Sequence, residues 1–455
     1  MNALFESDAV GATHDSDHRA LRGAYRAAEW RIMPILFALW MLAWVDRANV
    51  AFAKLQMLSD LRFSETVYGF GAGLFFLGYV LFGVPSSMVQ QRIGARRTLA
   101  AIALGWGMTS VAMMFVKSVG MFYVLRFLLG AFEAGFYPGV ILYMNAWFPA
   151  KRRTRNFSIF HSAAICSTVA VGLSGGVVLQ HMSGLGGVAG WRWMFLIQAV
   201  PTVVMGVLAL AVLPDGPGAA RWLTAQQRRL VQHDLDADGE RTAAPAVHAS
   251  SWFANPVIWV LSAIYFCILA ANAALSFFMP TILHEAGFGG YTEIGNAIAV
   301  ICVLGALGNI AISTLASRYR DVRWHCAVAS LISVASLLVL VFVWHSSRSA
   351  TFVTLVLALA GTGAGISLFW QIPVRFLRGK AAALGVPLIS SIANVAGFLT
   401  PSLTGYVRDM SGTYTSGFVT AAVVQALAAV ILIVGIPLLV RKQPASAAMT
   451  EEKPA

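Results

Sequence analysis

The chain has 455 residues, of which 58% are hydrophobic and only 11% are charged, whereas a soluble domain carries about 25% charged residues. Because so little polar surface cannot cover a water-exposed globule, the composition predicts an integral membrane protein. The excess of 32 Lys and Arg over 20 Asp and Glu also suits a nucleic-acid binder, but such proteins are not apolar along their whole length, so no nucleic-acid partner is expected.

Apolar stretches follow one another along the whole chain. Each is long enough for an α-helix that crosses the ~30 Å hydrocarbon core of a bilayer, which needs about 20 residues. Gly and Pro inside several of them are tolerated where membrane helices pack together. The sequence predicts an all-α integral membrane protein with twelve transmembrane helices, at residues 33–53, 67–90, 98–117, 121–145, 156–180, 192–213, 257–283, 294–316, 325–345, 350–374, 382–406 and 416–440.

The basic residues are unevenly divided between the two sets of connections. The termini and the connections after spans 2, 4, 6, 8 and 10 hold 24 of the 32 Lys and Arg residues, while the other connections hold six. Loops rich in Lys and Arg stay in the cytoplasm. We therefore expect both termini to be cytoplasmic. Since the N-terminal segment has no signal-peptide pattern, the first span is expected to direct insertion.

The chain also repeats itself. The basic cluster that begins at Arg92 recurs at Arg318, and the one at Lys151 recurs at Arg375, at offsets of 226 and 224 residues. Two parallel six-helix repeats are typical of a secondary transporter with its substrate site near the midplane between them. The predicted organisation is a cytoplasmic N-terminal tail (1–31), an N-terminal six-helix bundle (32–213), a partly helical, partly disordered cytoplasmic linker (214–256), a C-terminal six-helix bundle (257–440) and a cytoplasmic C-terminal tail (441–455).

Five stretches of the chain resemble a known family. They are Val45–Ala53 (VDRANVAFA), Glu65–Arg97, Phe122–Pro149, Gly190–Pro201 (GWRWMFLIQAVP) and Ala393–Pro401 (ANVAGFLTP). Together they resemble the anion:cation symporter family of the major facilitator superfamily, and within it the bacterial phthalate/tartrate/4-hydroxyphenylacetate permease branch. The resemblance implies the major facilitator fold and proton-coupled transport of a small organic anion. We expect a monomer in the bacterial inner membrane.

The sequence departs from this family at its gating motifs. Gly83 and Gln91 stand where this branch commonly has Glu, and Ser317 stands where the second-half copy usually has Asp. The loop contacts that favour one gate state are therefore expected to be weaker or built differently.

Four charged residues lie inside predicted spans, namely Asp46 and Arg47 in span 1 and Arg126 and Glu133 in span 4. Each costs about 2.5–3.5 kcal/mol on insertion scales, which makes each a candidate for function. Arg126 and Glu133 are about 10.5 Å apart along one helix face, at 1.5 Å per residue. We therefore expect a carboxylate of one helix to pair with an arginine of another.

A buried carboxylate next to an arginine can couple a proton to an anion. The arginine offers a planar fork to a substrate carboxylate, and the protein carboxylate that loses this partner then takes up a proton. The family resemblance separately implies that Asp46 and Glu133 are protonation sites and that Arg47 contacts the substrate anion. Arg126 is a second candidate anion site. The alternative is a static ion pair that fixes the register of the helices.

Five further residues are candidate substrate contacts. Tyr79 resembles a substrate-contacting position of the family, and the alternative is an aromatic side chain between helices. Trp370 supplies a flat apolar wall, and Gln371 and Asn394 resemble cavity-lining positions, with interhelical hydrogen bonds as the alternative. His161 lies inside span 5, where it either binds substrate, tunes proton transfer or has a structural role.

Several chemistries have no motif in the sequence. Without GxxxxGK[ST] we expect no ATP-driven transport, and without HExxH or GxSxG no enzyme; we also expect no metal and no cofactor besides the proton gradient. The predicted function is proton-coupled uptake of a small aromatic or hydroxylated carboxylate by alternating access. The alternatives are a proton-driven efflux transporter, which two arginines disfavour for cationic compounds, and a non-transporting membrane sensor of the same anion.

Overall fold

The computed structural model describes residues 2–242, 256–319, 322–377 and 380–437. These ranges are helical apart from short connections, which confirms the predicted all-α class. The helices are α1 (Asn2–Leu61), α2 (Glu65–Ile93), α3 (Ala95–Met113), α4 (Val119–Glu133), α5 (Phe136–Trp147), α6 (Ala150–His181), α7 (Gly190–Val212), α8 (Ala225–Thr242), α9 (Pro256–Glu285), α10 (Tyr291–Ala316), α11 (Val322–Val343), α12 (Arg348–Phe369), α13 (Pro373–Phe376), α14 (Lys380–Ser411) and α15 (Thr415–Val430). The predicted C-terminal tail 441–455 and linker residues 243–255 lie outside the described residues.

Eleven helical segments in the described ranges are long and apolar enough to cross a membrane. They coincide with eleven of the twelve predicted spans. The remaining prediction, 98–117, falls on α3, whose first turn carries Arg96 and Arg97. These two arginines lower the mean hydropathy of a helix that has only 19 residues.

The fourth predicted span, 121–145, is not one continuous helix. α4 ends at Glu133 and α5 begins at Phe136. Pro138 explains the break, because proline lacks an N–H donor and its ring collides with the carbonyl group four residues earlier, which belongs to Ala134. The break places the Glu133 side chain at the end of a helix in the interior.

The described chain forms two compact units. The first consists of Met1–Asn49, Gly78–Ala170 and Arg192–Ala244, and the second of Val50–Leu77, Val171–Trp191 and Pro245–Ala455. One end each of α1, α2 and α6 therefore packs with helices from the second sequence repeat. The predicted six-helix bundles 32–213 and 257–440 stay a prediction.

In the first unit, linker helix α8 packs against the beginning of α1. The Tyr25 hydroxyl donates a hydrogen bond to Asp234 at 2.7 Å. Arg153, at the start of α6, lies 3.2 Å from the Asp238 carboxylate. The linker is thus anchored to the helices beside it rather than being only a tether.

The second unit has a continuous apolar core between α9, α11, α12, α14 and α15. Each of these five helices contributes a fully buried residue, namely Ile258, Cys326, Leu368, Ala393 and Ala428. This packing holds the second-half candidate residues in place.

Candidate functional site

An ion pair joins α1 to α4 inside the first unit. The Arg47 guanidinium donates from Nε to Glu133 Oε1 at 2.6 Å, and its Nη2 lies 2.5 Å from the same oxygen. The side chain of Glu133 is fully buried and that of Arg47 is 17% exposed. The predicted pairing across two helices is confirmed, although the transport roles of the two residues stay a prediction.

The two oxygens of Glu133 have different surroundings. Both short contacts from Arg47 go to Oε1. Oε2 is buried and has no hydrogen-bond partner among the described residues. A proton on Oε2 would therefore displace no existing hydrogen bond.

Aromatic rings surround the Arg47 guanidinium. Its central carbon lies 4.9 Å from the ring centre of Trp44, 5.0 Å from that of Tyr79 and 5.9 Å from that of Trp40. A Cβ at Gly78 would collide with the Phe127 carbonyl, so α2 lies directly against α4 and brings Tyr79 to the ion pair. Cation–π contacts of about 0.5–2 kcal/mol each help to hold the guanidinium in position.

Asp46 is held by neutral donors. Ser110 Oγ donates to Oδ1 at 2.7 Å, Trp106 Nε1 donates to Oδ2 at 2.7 Å, and Asn49 Nδ2 donates to Oδ1 at 3.2 Å. The carboxylate itself is fully buried. The donors Trp106 and Ser110 lie one turn apart on α3, which fixes the rotation of α3 against α1.

Arg126 lies on the buried stripe of α4 that also contains Leu129 and Glu133. Its side chain is fully buried, and its charge acts on both Asp46 and Glu133. Arg126 therefore interacts electrostatically with both buried carboxylates, and it lies deeper in the protein than Arg47.

His161 is exposed on α6 and joins the aromatic group. Its Nε2 lies 3.3 Å from the Tyr137 hydroxyl, and its ring lies edge-on to Trp40 at 6.3 Å. Trp40 also contacts Arg47, so the histidine and the ion pair share one aromatic neighbour.

The second unit contains the other predicted contacts, beside a tyrosine that the sequence did not single out. Tyr265 of α9 stacks on Phe369 at 4.7 Å with an interplanar angle of 6°, and Trp370 Nε1 donates to its hydroxyl at 3.3 Å. Gln371 is exposed after the end of α12. Asn394 Nδ2 donates to the Ser390 carbonyl one turn earlier in α14, at 2.9 Å.

Sequence reasoning missed polar and aromatic neighbours of the candidate residues in each of the two units, and five of them stand out by their close contacts. The sequence could have indicated each of them, because each is a polar or aromatic residue within an apolar span. Several also lie one or two helical turns from a charged residue or from one another. These residues are Trp40, Trp44, Trp106, Ser110 and Tyr265.

At two of the altered gating-motif positions, Gly83 and Ser317, the structure shows only open space or a local hydrogen bond. A Cβ at Gly83 would have no neighbour within 4 Å, and Ser317, directly after the end of α10, donates from Oγ to the Thr314 carbonyl of that helix. The side chain of Gln91 lies outside the described residues. The expected weakening of the gating loops stays a prediction.

Comparisons with known proteins agree with this architecture. Residues 35–386 match the family model of the Major Facilitator Superfamily. The chain is 38% identical over 407 residues to a putative metabolite transport protein, NicT, of Pseudomonas putida, with 90% of this chain and 93% of that protein covered. It is 37% identical over 437 residues to a putative tartrate transporter of Agrobacterium vitis, with 95% and 94% covered.

A third relative has a different named role. The chain is 31% identical over 405 residues to a quinolone resistance transporter of Acinetobacter baumannii, with 88% of this chain and 92% of that protein covered. All three relatives are transporters, and the family model covers most of the membrane helices. The chain therefore belongs to the Major Facilitator Superfamily and is a multi-pass membrane transporter, not an enzyme.

Proposed function

We propose that this transporter takes up a small organic carboxylate together with protons by alternating access. The observation that carries the proposal is the Arg47–Glu133 ion pair, in which a partly exposed arginine is bound to one oxygen of a buried carboxylate whose other oxygen is unengaged. In this proposal the membrane is the bacterial inner membrane, with both termini in the cytoplasm.

The ion pair links anion binding to proton binding. A substrate carboxylate that binds the Arg47 fork competes with Glu133 for the same donors. Glu133 would then be a buried charge that has lost its hydrogen-bonded partner, which is unfavourable unless it is protonated. Substrate and proton therefore strengthen each other's binding, and linkage requires the effect to be equal in both directions.

Asp46 is proposed as the second proton site. As a carboxylate it accepts hydrogen bonds from Trp106, Ser110 and Asn49. Protonation removes the negative charge of the acceptor, so the hydrogen bonds from these three groups become neutral and weaker. Proton binding at Asp46 is thereby linked to the packing of α1 against α3.

The substrate class follows from the chemistry of the two sets of side chains. In the first unit, Arg47 and Arg126 suit carboxylates, and Tyr79 offers a ring. In the second, Trp370 offers an apolar wall, and the amides of Gln371 and Asn394 suit hydroxyl groups. The relative named as a tartrate transporter supports a hydroxylated dicarboxylate, and the aromatic rings support an aromatic acid.

Uptake into proteoliposomes tests this proposal. Radiolabelled tartrate, phthalate and 4-hydroxyphenylacetate are each offered with and without an inwardly directed proton gradient, and a neutral sugar serves as the control compound. We expect at least one acid to accumulate only with the gradient, and to stabilise the purified protein more at acidic than at alkaline pH. Stabilisation by neutral sugars or cations alone would contradict the carboxylate assignment.

Proton-driven efflux is the second candidate, and the relative named as a quinolone resistance transporter is the observation that favours it. Quinolone susceptibility of a pump-deficient strain that expresses the chain separates the two functions. We expect no change in susceptibility. A rise in resistance that disappears in the Glu133→Gln variant would favour efflux, while the absence of any flux in either direction would favour a sensor.

A further inference from the structure

A lysine is buried at the end of the second unit where α1 ends and α2 begins. Lys54 is 3% exposed. Its ammonium nitrogen lies 2.8 Å from Glu65 Oε2 and donates to the Tyr414 hydroxyl at 2.7 Å. It also lies 4.6–4.8 Å from the ring centres of Tyr68, Phe278 and Tyr414. The charge is therefore compensated by an ion pair, a hydrogen bond and three aromatic faces.

Tyr414 closes this cluster from the second sequence repeat. Its hydroxyl accepts from Lys54 and donates to Glu65 Oε1. Burial raises the pKa of the Tyr414 phenol, so the hydroxyl keeps the proton that it donates. One phenol oxygen thus binds both members of an ion pair that belongs to the first repeat.

Asp409 makes a second contact between the repeats, at the start of α2. Its carboxylate accepts from the backbone N–H groups of Glu65 at 3.1 Å and Thr66 at 2.7 Å, and from the Thr66 hydroxyl at 2.5 Å. The first N–H groups of a helix have no partner within the helix, and negative charge is favourable there. The cap of α2 is therefore supplied in part by α14.

Glycines bring α2 and α14 into backbone contact just beyond this cap. A Cβ at Gly69 would collide with the Pro401 carbonyl, and a Cβ at Gly405 would collide with the Glu65 carbonyl. Neither helix tolerates a larger residue at these positions without separating from the other. The contact leaves no path between α2 and α14 at this end.

Alternating access requires the two repeats to separate at each end of the transport path in turn. We propose that a latch holds this end of the path closed. It consists of Lys54, Glu65, Tyr414 and Asp409, of which Asp409 of α14 caps the start of α2. The ion pair lies wholly within the first repeat, so opening breaks the contacts of Tyr414 and Asp409 but leaves Lys54 with Glu65. No buried charge loses its counter-ion, which keeps the latch reversible.

Cysteine accessibility tests the latch without any knowledge of the substrate. The four native cysteines (Cys166, Cys267, Cys302 and Cys326) are replaced by alanine, and Ser402→Cys, which lies beside Gly73 in the α2–α14 contact, reports access. Purified protein in detergent is labelled with a bulky, hydrophilic maleimide. The Tyr414→Phe and Asp409→Ala variants should each label about tenfold faster or more, since each loses hydrogen bonds to charged groups.

A matched control separates latch opening from general loosening. The Asp60 carboxylate accepts from Trp191 Nε1 at 2.9 Å, and both residues belong to the first repeat. Asp60→Ala should leave the labelling rate of Ser402→Cys unchanged. An equal rise in this control, or no rise in either latch variant, would overturn the proposal. Should Asp409→Ala fail to give a monodisperse protein, the isosteric Tyr414→Phe variant decides.

A variant that forces α2 and α14 apart sterically tests independently whether their contact closes this end of the path. Gly69→Ala places a methyl group against the Pro401 carbonyl, whereas Gly83→Ala on the same helix meets nothing within 4 Å. We expect Gly69→Ala to speed labelling of Ser402→Cys, because the two helices must move apart to admit the methyl group, and Gly83→Ala to leave it unchanged. Equal rates in the two variants would show that the glycine contact does not close the path.

Discussion

Glu133→Gln removes the carboxylate that binds Arg47 while keeping the size and shape of the side chain. In the proposed mechanism a substrate carboxylate displaces Glu133 Oε1 from two donors of the guanidinium. A hydrogen bond to a charged group contributes about 1.5–3 kcal/mol, and each 1.4 kcal/mol is about tenfold in affinity. At alkaline pH the variant should therefore bind substrate about 10- to 100-fold more tightly than the native protein.

The same variant should lose its dependence on pH and its ability to concentrate substrate. Glutamine resembles the protonated carboxylate at every pH, so the dissociation constant should change much less between pH 6 and pH 8.5 than it does in the native protein. Exchange of internal for external substrate should survive because it does not require the proton to leave. Calorimetric titrations and proteoliposome uptake measure these quantities.

The matched control is Glu293→Gln, since Glu293 is half exposed and lies 3.7 Å from Arg348 on the surface. It should behave as the native protein in both assays. A Glu133→Gln variant that still accumulates substrate against a gradient, or that keeps the native dependence of binding on pH, would refute the assigned role of Glu133.

Three further predictions follow from the site and from the charge distribution. Arg47→Lys keeps the charge but loses the two-pronged geometry, so substrate binding should weaken at least about tenfold. Arg348→Lys is the control and should have no effect. Binding that a calorimetric titration finds retained within about a factor of two would make Arg126 the better anion site. Asp46→Asn should abolish gradient-driven uptake in proteoliposomes but allow exchange, and full concentrative uptake would remove Asp46 from the proton path. Cysteines placed at Ala219 and Ala445 should react with an impermeant maleimide only from the cytoplasm, and labelling in intact cells would reverse the proposed orientation.

Sequence reasoning found the four buried charges, because charged residues in apolar spans are visible without any structure. It also predicted that a carboxylate and an arginine would pair across helices, since seven residues separate Arg126 from Glu133 along one helix. It did not select the partners. Whether Arg47 or Arg126 contacts Glu133 depends on how α1 and α4 are rotated about their own axes, which the periodicity of a single helix does not specify.

Pro138 shows that a residue can be visible in the sequence while its structural effect is not. Pro138 is among the Gly and Pro residues that packed membrane helices are expected to tolerate, yet it breaks span 4 beside Glu133, because its ring collides with the backbone one turn earlier. The chain folds into membrane-spanning helices although they contain Gly and Pro, as expected, but the interruption of span 4 at Pro138 was not predicted.

By itself the sequence determined the membrane environment, the all-α class and the family, because these depend on hydropathy, on the distribution of charge and on long stretches of residues that resemble the family. Lys54 shows what only the tertiary structure decided. In the sequence it is one of six basic residues in the weakly charged connections. In the structure it is buried against Phe278 and Tyr414, which lie more than 220 residues away along the chain. Contacts between residues so far apart arise from the packing of helices in three dimensions, which local sequence patterns do not encode.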